Sequence, residues 1–352
     1  MSIPSAETPL APQGNNPRDS ESGAPHIADT SYRTYEGPLQ SHALRWWAVA
    51  LATIKANVNR KKFGFWIIVA FVFILYLVQG IIFYVTNNAS QNLGINLLNQ
   101  TRPYATTLYT AQSSVEIWIF VAALTVGAAS ISADNRSNAL LVYLSKPITR
   151  IDYLLGKWVG VFLLLFALTL VPSLLMYLFF LGTYYNDGFL KEEPLLFWKM
   201  LVGSVLSPAI HTSLILGISA WTKTPRLAGA VYAALYFIAG IALDNVARVV
   251  AASDPEYEKG TTLAIVRNAG IDGVGAGISM NLYDVEPLQI VQQRRSRRRR
   301  NRDRPLSERE QQMLRELERP PVAPLITFWL VYLTLPVGAA ALRVRAVEVV
   351  KG

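Results

Sequence analysis

Cysteine is absent from the 352-residue chain, which excludes disulfides and thiolate metal sites. Histidine is nearly as scarce, because only three occur, and they offer little for a zinc site or for imidazole catalysis. Charged residues make up 16% of the chain, against about a quarter in a soluble domain. Hydrophobic residues make up 52%, and the mean hydropathy is +0.28. The composition therefore excludes a soluble two-domain globule and predicts a polytopic membrane protein.

The signatures of common enzymes are also missing from the sequence. The phosphate-binding pattern G-x-x-x-x-G-K-[ST] does not occur, since the single Gly156-Lys157 pair is followed by Trp158. Neither H-E-x-x-H nor G-x-S-x-G is present. We therefore expect that the chain is not an enzyme by itself and that it holds no cofactor.

Six apolar segments are long enough to cross a membrane as helices, which takes roughly 17–25 residues. Together they predict an all-α fold with six transmembrane helices. The segments are 63–85, 115–132, 158–181, 200–221, 227–243 and 325–342.

Lysine and arginine near the ends of these segments predict the orientation, because cytoplasmic flanks carry the excess of cations. Cations cluster at 55–62, 133–157 and 343–351. This pattern predicts a multi-pass protein of the plasma (inner) membrane with both termini in the cytoplasm. The connection 244–324 should then be external, although it holds the arginine-rich run 294–300. Loops longer than about 60 residues translocate largely regardless of charge, so the prediction stays at six spans.

The sequence divides into four regions. Residues 1–40 are rich in Pro, Gly, Ser and Asn, and they predict a disordered cytoplasmic tail. Residues 41–243 hold an N-terminal interfacial helix and the first five spans. Residues 244–324 form a long polar loop that contains the arginine-rich run and a short helix at 307–319. Residues 325–352 hold the sixth span and a cytoplasmic tail.

The segment before the first span has the pattern of an amphipathic helix. Leu44, Trp47, Leu51 and Ile54 recur at spacings of three or four between residues 41 and 59. Tryptophan favours the headgroup region, so this helix is expected to lie in the inner membrane interface. The alternative is a simple extension of the first span.

The cytoplasmic connection 133–157 combines a short apolar run with two helix signals. Its apolar middle, 139–144, predicts a short helix that needs a cover, because apolar patches outside the membrane mark interaction sites. The Ser-x-Pro turn at 145–147 ends that helix. Thr149, with Asp152 three residues later, matches a capping box that opens the helix of the third span. A force on the short helix would therefore be passed to a transmembrane helix.

This connection resembles the loop between spans two and three of type-2 ABC exporter permeases. In that family a Leu-rich helix, a Ser-x-Pro turn and a Gly-Lys pair follow one another in this order. The stretch 134–138 departs from the Glu and Gly-Thr that the family usually has there. The matching residues are Leu140, Leu141, Leu144, Ser145, Pro147, Arg150, Gly156 and Lys157.

The resemblance implies a function and a set of partners. The chain would be the membrane-spanning permease subunit of an ABC transporter, forming the translocation path for export. A second permease chain, identical or homologous, would complete the pore. A separate ATPase subunit, holding ATP and Mg²⁺, would bind the short helix 139–144, which would act as a coupling helix. Competing hypotheses are an ion-coupled secondary transporter and a membrane scaffold or assembly protein.

Two further features have a functional and a structural interpretation. His211 falls inside the fourth span, where an ionisable residue is a candidate pathway residue. The alternative is a neutral histidine that is hydrogen-bonded between helices. The run 294–300 has no interleaved aromatic residues on which bases stack, so we expect no nucleic-acid partner.

Overall fold

The computed structural model describes residues 44–58, 63–93, 103–137, 148–253, 261–285 and 319–344. These residues form helices and no strand, which confirms the predicted all-α fold. The helices are α1 (Arg45–Val58), α2 (Phe63–Leu93), α3 (Pro103–Ser114), α4 (Glu116–Arg136), α5 (Arg150–Tyr184), α6 (Phe189–Glu192), α7 (Leu196–Trp221), α8 (Pro225–Ser253), α9 (Thr261–Asn268), α10 (Ile271–Leu282) and α11 (Val322–Arg343).

Some of the predicted segments lie outside the described residues. They are the tail 1–40, the short helix 139–144, the arginine-rich run 294–300 and all but the last residue of the helix 307–319. Their predictions stay predictions.

Among the described helices, six are long and apolar enough to span a membrane: α2, α4, α5, α7, α8 and α11. The prediction of six spans is therefore confirmed. The short-helix signal before them is confirmed as well, because α1 is a separate helix that packs against α5.

The start of α5 follows from the predicted capping box. The Thr149 hydroxyl accepts a hydrogen bond from the Asp152 backbone N–H at 3.1 Å, and the Asp152 carboxylate accepts one from the Thr149 N–H at 3.1 Å. The helix then runs unbroken for 35 residues, which is about 52 Å at 1.5 Å per residue. Since this exceeds a hydrocarbon core of about 30 Å, α5 continues beyond the membrane at one or both ends.

Helix α7 is the centre of the bundle. In its most apolar stretch 78% of the residues are buried, against 11% in α8 and in α11. Neighbouring helices bond to it directly: the Ser219 hydroxyl donates to the Ala128 carbonyl at 2.9 Å, and the Trp329 indole donates to the Leu206 carbonyl at 3.0 Å. Hydrogen bonds of this kind hold transmembrane helices together where lipid supplies no hydrophobic driving force.

A helical hairpin between the fifth and sixth spans was not predicted from the sequence. Helices α9 and α10 pack against α8 and α11, and α10 also packs against α7. The Tyr332 hydroxyl, midway along α11, donates to the Ala269 carbonyl at the hairpin turn at 2.9 Å. The Asn281 amide at the other end of α10 donates to the Pro320 carbonyl just before α11 at 3.0 Å. The hairpin turn therefore reaches the middle of the bundle.

Candidate functional site

The structure describes the two flanks of the predicted coupling segment. Leu140, Leu141, Leu144, Ser145 and Pro147 lie outside the described residues. The end of α4 and the beginning of α5, on either side of this segment, are described in full. The geometry of these flanks shows how the two helices on either side of the segment are joined.

The two flanks are joined by a buried ionic contact. The Lys157 ammonium lies 2.8 Å from the Asp134 carboxylate, and the Tyr153 hydroxyl donates to the same carboxylate oxygen at 2.7 Å. Tyr153 is fully buried, and only 8% of Lys157 is exposed. The Lys157 ammonium also lies 5.6 Å from the centre of the Tyr153 ring. We call Asp134, Tyr153 and Lys157 the loop clamp, because they tie α4 to α5 at the base of the predicted coupling loop.

The burial of the loop clamp makes it sensitive to the loss of one partner. Removing one member of a buried ion pair leaves the other charge uncompensated, which costs about 3–5 kcal/mol. Lys157 was predicted as a site residue from the sequence, whereas Asp134 was only part of the stretch 134–138 that departs from the family pattern. The two residues are separated in sequence by the loop, and the spacing across a loop follows no helical repeat. Their contact therefore could not be predicted from the sequence.

Gly156 has a packing role. A Cβ added there would lie 2.5 Å from the Trp46 carbonyl oxygen and 2.6 Å from the Val49 Cβ. Four residues later, a Cβ on Gly160 would lie 2.9 Å from the Ala50 carbonyl oxygen. This small-xxx-small spacing lets α1 and α5 approach closely. The two helices are therefore packed backbone to backbone at these glycines.

The remaining predicted residue of this region, Arg150, is exposed at the first turn of α5. Trp47 and Leu51 on the nearby α1, and Leu44 just before it, are exposed. The buried side of α1, with Val49, Ala50 and Thr53, faces α5. Three of the four residues of the predicted apolar face of α1 therefore point away from the bundle, whereas Ile54 packs against its core. The position of α1 in the membrane interface stays a prediction.

A second polar site surrounds His211 in the middle of the bundle. His211 is fully buried, and its Nδ1 lies 2.5 Å from the Tyr232 hydroxyl on α8. Its Nε2 lies 3.3 Å from Asp272 Oδ1 on α10, within ion-pair range but not aligned for a hydrogen bond. The Tyr236 hydroxyl donates to the other oxygen of Asp272. His211 is therefore bonded between helices, as the structural interpretation expected, and its role in a pathway stays a prediction.

A second carboxylate belongs to this group. Glu116, the first residue of α4, is half-buried and interacts electrostatically with Asp272. Phe120, one turn further along α4, stacks on Tyr236 with ring centres 4.0 Å apart. We call Glu116, His211, Tyr232, Tyr236 and Asp272 the interior cluster.

Of the interior cluster, only His211 was predicted from the sequence. Its ionisable partners lie outside the central parts of the predicted spans, because Asp272 belongs to the hairpin and Glu116 begins a span. Asp272 lies in the first turn of α10, but the segment around it is rich in glycine and has the composition of a polar loop.

A neutral polar network lies beside the interior cluster. The Gln112 amide nitrogen donates to the Ser204 and Ser173 hydroxyls at 3.1 and 3.3 Å, and its oxygen accepts from the Tyr283 hydroxyl at 2.9 Å. Burial raises the pKa of the Tyr283 hydroxyl well above its usual value, so it keeps its proton and remains a donor. This network links α3, α5, α7 and the hairpin beside Glu116.

Comparison with known proteins agrees with the helical architecture. The sequence matches the family described as "ABC-2 family transporter protein" over residues 49–295, which is more than half of the chain. No curated protein matches the sequence significantly. The matched range includes both flanks of the loop, the loop clamp and the whole interior cluster.

Proposed function

The chain belongs to the ABC-2 transporter family, and from this premise we propose that it is the permease subunit of an ABC exporter, driven by a separate ATPase. Its six membrane-spanning helices supply the transmembrane part of such a transporter. The sequence contains no phosphate-binding loop, so ATP and Mg²⁺ would be held by the partner subunit.

The loop clamp is the observation that carries the coupling part of this proposal. A coupling helix between α4 and α5 transmits force only if its base is stiff. Asp134 at the end of α4 and Lys157 near the start of α5 meet at 2.8 Å, so the two helices would move together. Because α5 is continuous from Arg150 to Tyr184, a displacement at its first turn would reach the far side of the membrane.

The bundle surface supports a second permease chain as a partner. Helices α2, α8 and α11 bury few of their apolar residues within the single chain. Lipid would cover some of this surface, and a second copy or a homologous chain would cover the rest to enclose a translocation path. We further propose that the protein lies in the plasma (inner) membrane, with both termini and the coupling loop in the cytoplasm.

Purification in mild detergent tests this proposal. The full chain, solubilised from its native membrane, is expected to bring down a protein with a phosphate-binding loop, identifiable by mass spectrometry. The purified complex should hydrolyse ATP, and vanadate should inhibit it. Recovery of the chain alone, without any nucleotide-hydrolysing protein, would count against an ABC transporter subunit.

The interior cluster favours a second candidate, an ion-coupled secondary transporter. Such proteins place ionisable side chains near the middle of the membrane, and His211 and Asp272, which meet inside the bundle, would be such a pair. A secondary transporter needs no ATPase, so the same purification separates the two functions.

A further inference from the structure

A groove runs along the surface of the bundle between the start of α5 and the end of α11. Both helices pack closely against α7 but contact each other only lightly, so a gap remains between them. Its volume is about 590 Å³, within the range of about 300–1,000 Å³ that is usual for ligand pockets. The lining follows α5 from Arg150 to Trp158 and α11 from Leu333 to Val344.

The length of the groove matches one leaflet of a membrane. The stretch of α11 from Leu333 to Val344 is about 16 Å long at 1.5 Å per residue. Half of a hydrocarbon core is about 15 Å. The groove therefore extends from the end of α11 to about the middle of the membrane, as a lipid acyl chain does.

The surface that the groove offers along its length is apolar. Ile151, in the first turns of α5, is 76% exposed and lines it. The polar groups among its apolar walls already have partners in the chain. The Trp158 indole donates to the Ser213 hydroxyl at 2.9 Å, and the Thr334 hydroxyl donates to the Leu330 carbonyl at 2.8 Å. A ligand in the groove would therefore meet hydrocarbon on both sides.

One end of the groove carries a positive charge. Arg150 is exposed at the first turn of α5 and belongs to the lining. The carboxylate of the nearby Asp152 is held in the helix cap, where it accepts hydrogen bonds from the Thr149 backbone N–H at 3.1 Å and hydroxyl at 2.8 Å. Within the part of the chain that the structure describes, no carboxylate pairs with Arg150. Its guanidinium is therefore available to an anion.

We propose that this groove binds an anionic phospholipid, with the lipid phosphate on the Arg150 guanidinium and one acyl chain along the apolar walls. The planar guanidinium matches two phosphate oxygens at once. Basic residues at the mouth of a pocket between transmembrane helices are a known mode of binding anionic head groups. A zwitterionic lipid brings its own cation, so it would gain less from Arg150.

A second groove, between α2 and α5, is similar in size but differs in charge. Its volume is about 520 Å³, and it is lined by residues of α2 between Phe73 and Tyr84 and of α5 between Pro172 and Phe179. None of these lining residues is charged. Acyl chains of any lipid would cover this second groove without a preference for a head group. It therefore serves as an internal control.

The bound lipid would bridge two elements of the bundle. It would contact the first turn of α5 and the end of α11 on the membrane face that is proposed to be cytoplasmic. The binding goes beyond the proposed transport function and needs no ATPase, because every group that forms the site belongs to this chain.

Native mass spectrometry of the full chain in detergent tests the role of the charge. The probes are phosphatidylglycerol and phosphatidylcholine with identical acyl chains. The wild type should bind phosphatidylglycerol about fivefold more tightly, the effect of one cation near an anionic head group. Arg150→Gln should lose this preference, and Arg150→Lys should keep most of it. The matched control is Arg226→Gln, which removes an exposed arginine at the start of α8 and should keep the wild-type preference.

A second pair of variants tests the groove itself. Gly338 lines the groove, and a Cβ added there meets nothing within 4 Å, so Gly338→Leu would fill the groove without a clash. It should weaken phosphatidylglycerol binding several-fold. Gly80→Leu makes the same change in the uncharged groove, also without a clash, and should leave the preference for phosphatidylglycerol unchanged.

Three results would overturn the proposal. The first is a wild-type preference in Arg150→Gln, and the second is an equal loss in Arg150→Gln and Arg226→Gln. The third is wild-type lipid binding in Gly338→Leu together with dissociation of a dimer, which would show that a second copy of the chain fills the groove. Since Arg150 is exposed, the first two results do not depend on changes in packing. All measurements use this chain alone, so failure of the proposed ATPase coupling would leave their outcome unaffected.

Discussion

Lys157 and Asp134 meet at 2.8 Å across the base of the loop that joins the second and third spans. Both side chains are largely buried, and Tyr153 donates to the same carboxylate oxygen at 2.7 Å. This contact ties the end of α4 to the start of α5. In the proposed transporter it would be the place where work done on the loop enters the membrane domain.

Lys157→Met tests the loop clamp. The variant leaves the Asp134 charge buried with only Tyr153 as a donor, so we expect a loss of about 3–5 kcal/mol, seen as a lower melting temperature. Lys223→Met is the matched control, since Lys223 is an exposed lysine in the turn between α7 and α8. If both variants melt at the wild-type temperature, the loop clamp does not stabilise the fold.

Gly156→Ala tests the contact between α1 and α5. The new Cβ would lie 2.5 Å from a backbone oxygen of α1, which cannot move aside without displacing the helix. We expect a destabilisation of about 1–3 kcal/mol and faster proteolysis of α1. Gly182→Ala in the same helix meets nothing within 4 Å and should have little effect. Equal effects of the two substitutions would show that close packing at Gly156 is unimportant.

Tyr283→Phe tests the polar network around Gln112. The substitution removes the donor to the Gln112 carbonyl oxygen and leaves that buried oxygen unsatisfied, at a cost of about 1–3 kcal/mol. Tyr185→Phe, at a tyrosine that is 61% exposed, is the control. Chemical unfolding of both variants should separate them. Identical denaturant midpoints for the two variants would mean that the hydrogen bond between Tyr283 and Gln112 contributes no net stability.

The absence of native cysteine makes the topology directly testable with single-cysteine variants. A membrane-impermeant thiol reagent added outside should label Asn186→Cys, and Lys223→Cys should react only after the membrane is opened. Ser296→Cys in the arginine-rich run should be labelled from outside. Labelling of Ser296→Cys from the cytoplasm alone would contradict the six-span orientation.

Most of the transmembrane fold could be predicted from the sequence, because each span is a long local pattern. The six apolar segments and the capping box of Thr149 and Asp152 depend on neighbouring residues only, and both predictions were confirmed. The start of α5 at Arg150 follows from that box, although hydropathy alone placed the span from residue 158.

The contacts between distant segments could not be predicted in the same way. Asp272 meets His211 because a short, glycine-rich hairpin enters the bundle, and neither its length nor its hydropathy marks it as buried. Asp134 and Lys157 lie on either side of a loop, and the spacing of charged residues across a loop follows no repeat that would predict their contact. Burial of charge is a property of the packed structure, so the pairings that form both sites emerge only there.

The most direct test of coupling through this loop is a measurement of ATP hydrolysis by the copurified ATPase. It uses aspartate variants of the predicted coupling segment. Leu140→Asp, Leu141→Asp and Leu144→Asp each place a charge where an apolar contact with the ATPase is proposed. At least one should lose both ATPase binding and stimulated hydrolysis while still inserting into the membrane. Leu190→Asp, at an exposed leucine of α6, should behave as the wild type. Wild-type binding and hydrolysis in all three variants would contradict coupling through this loop.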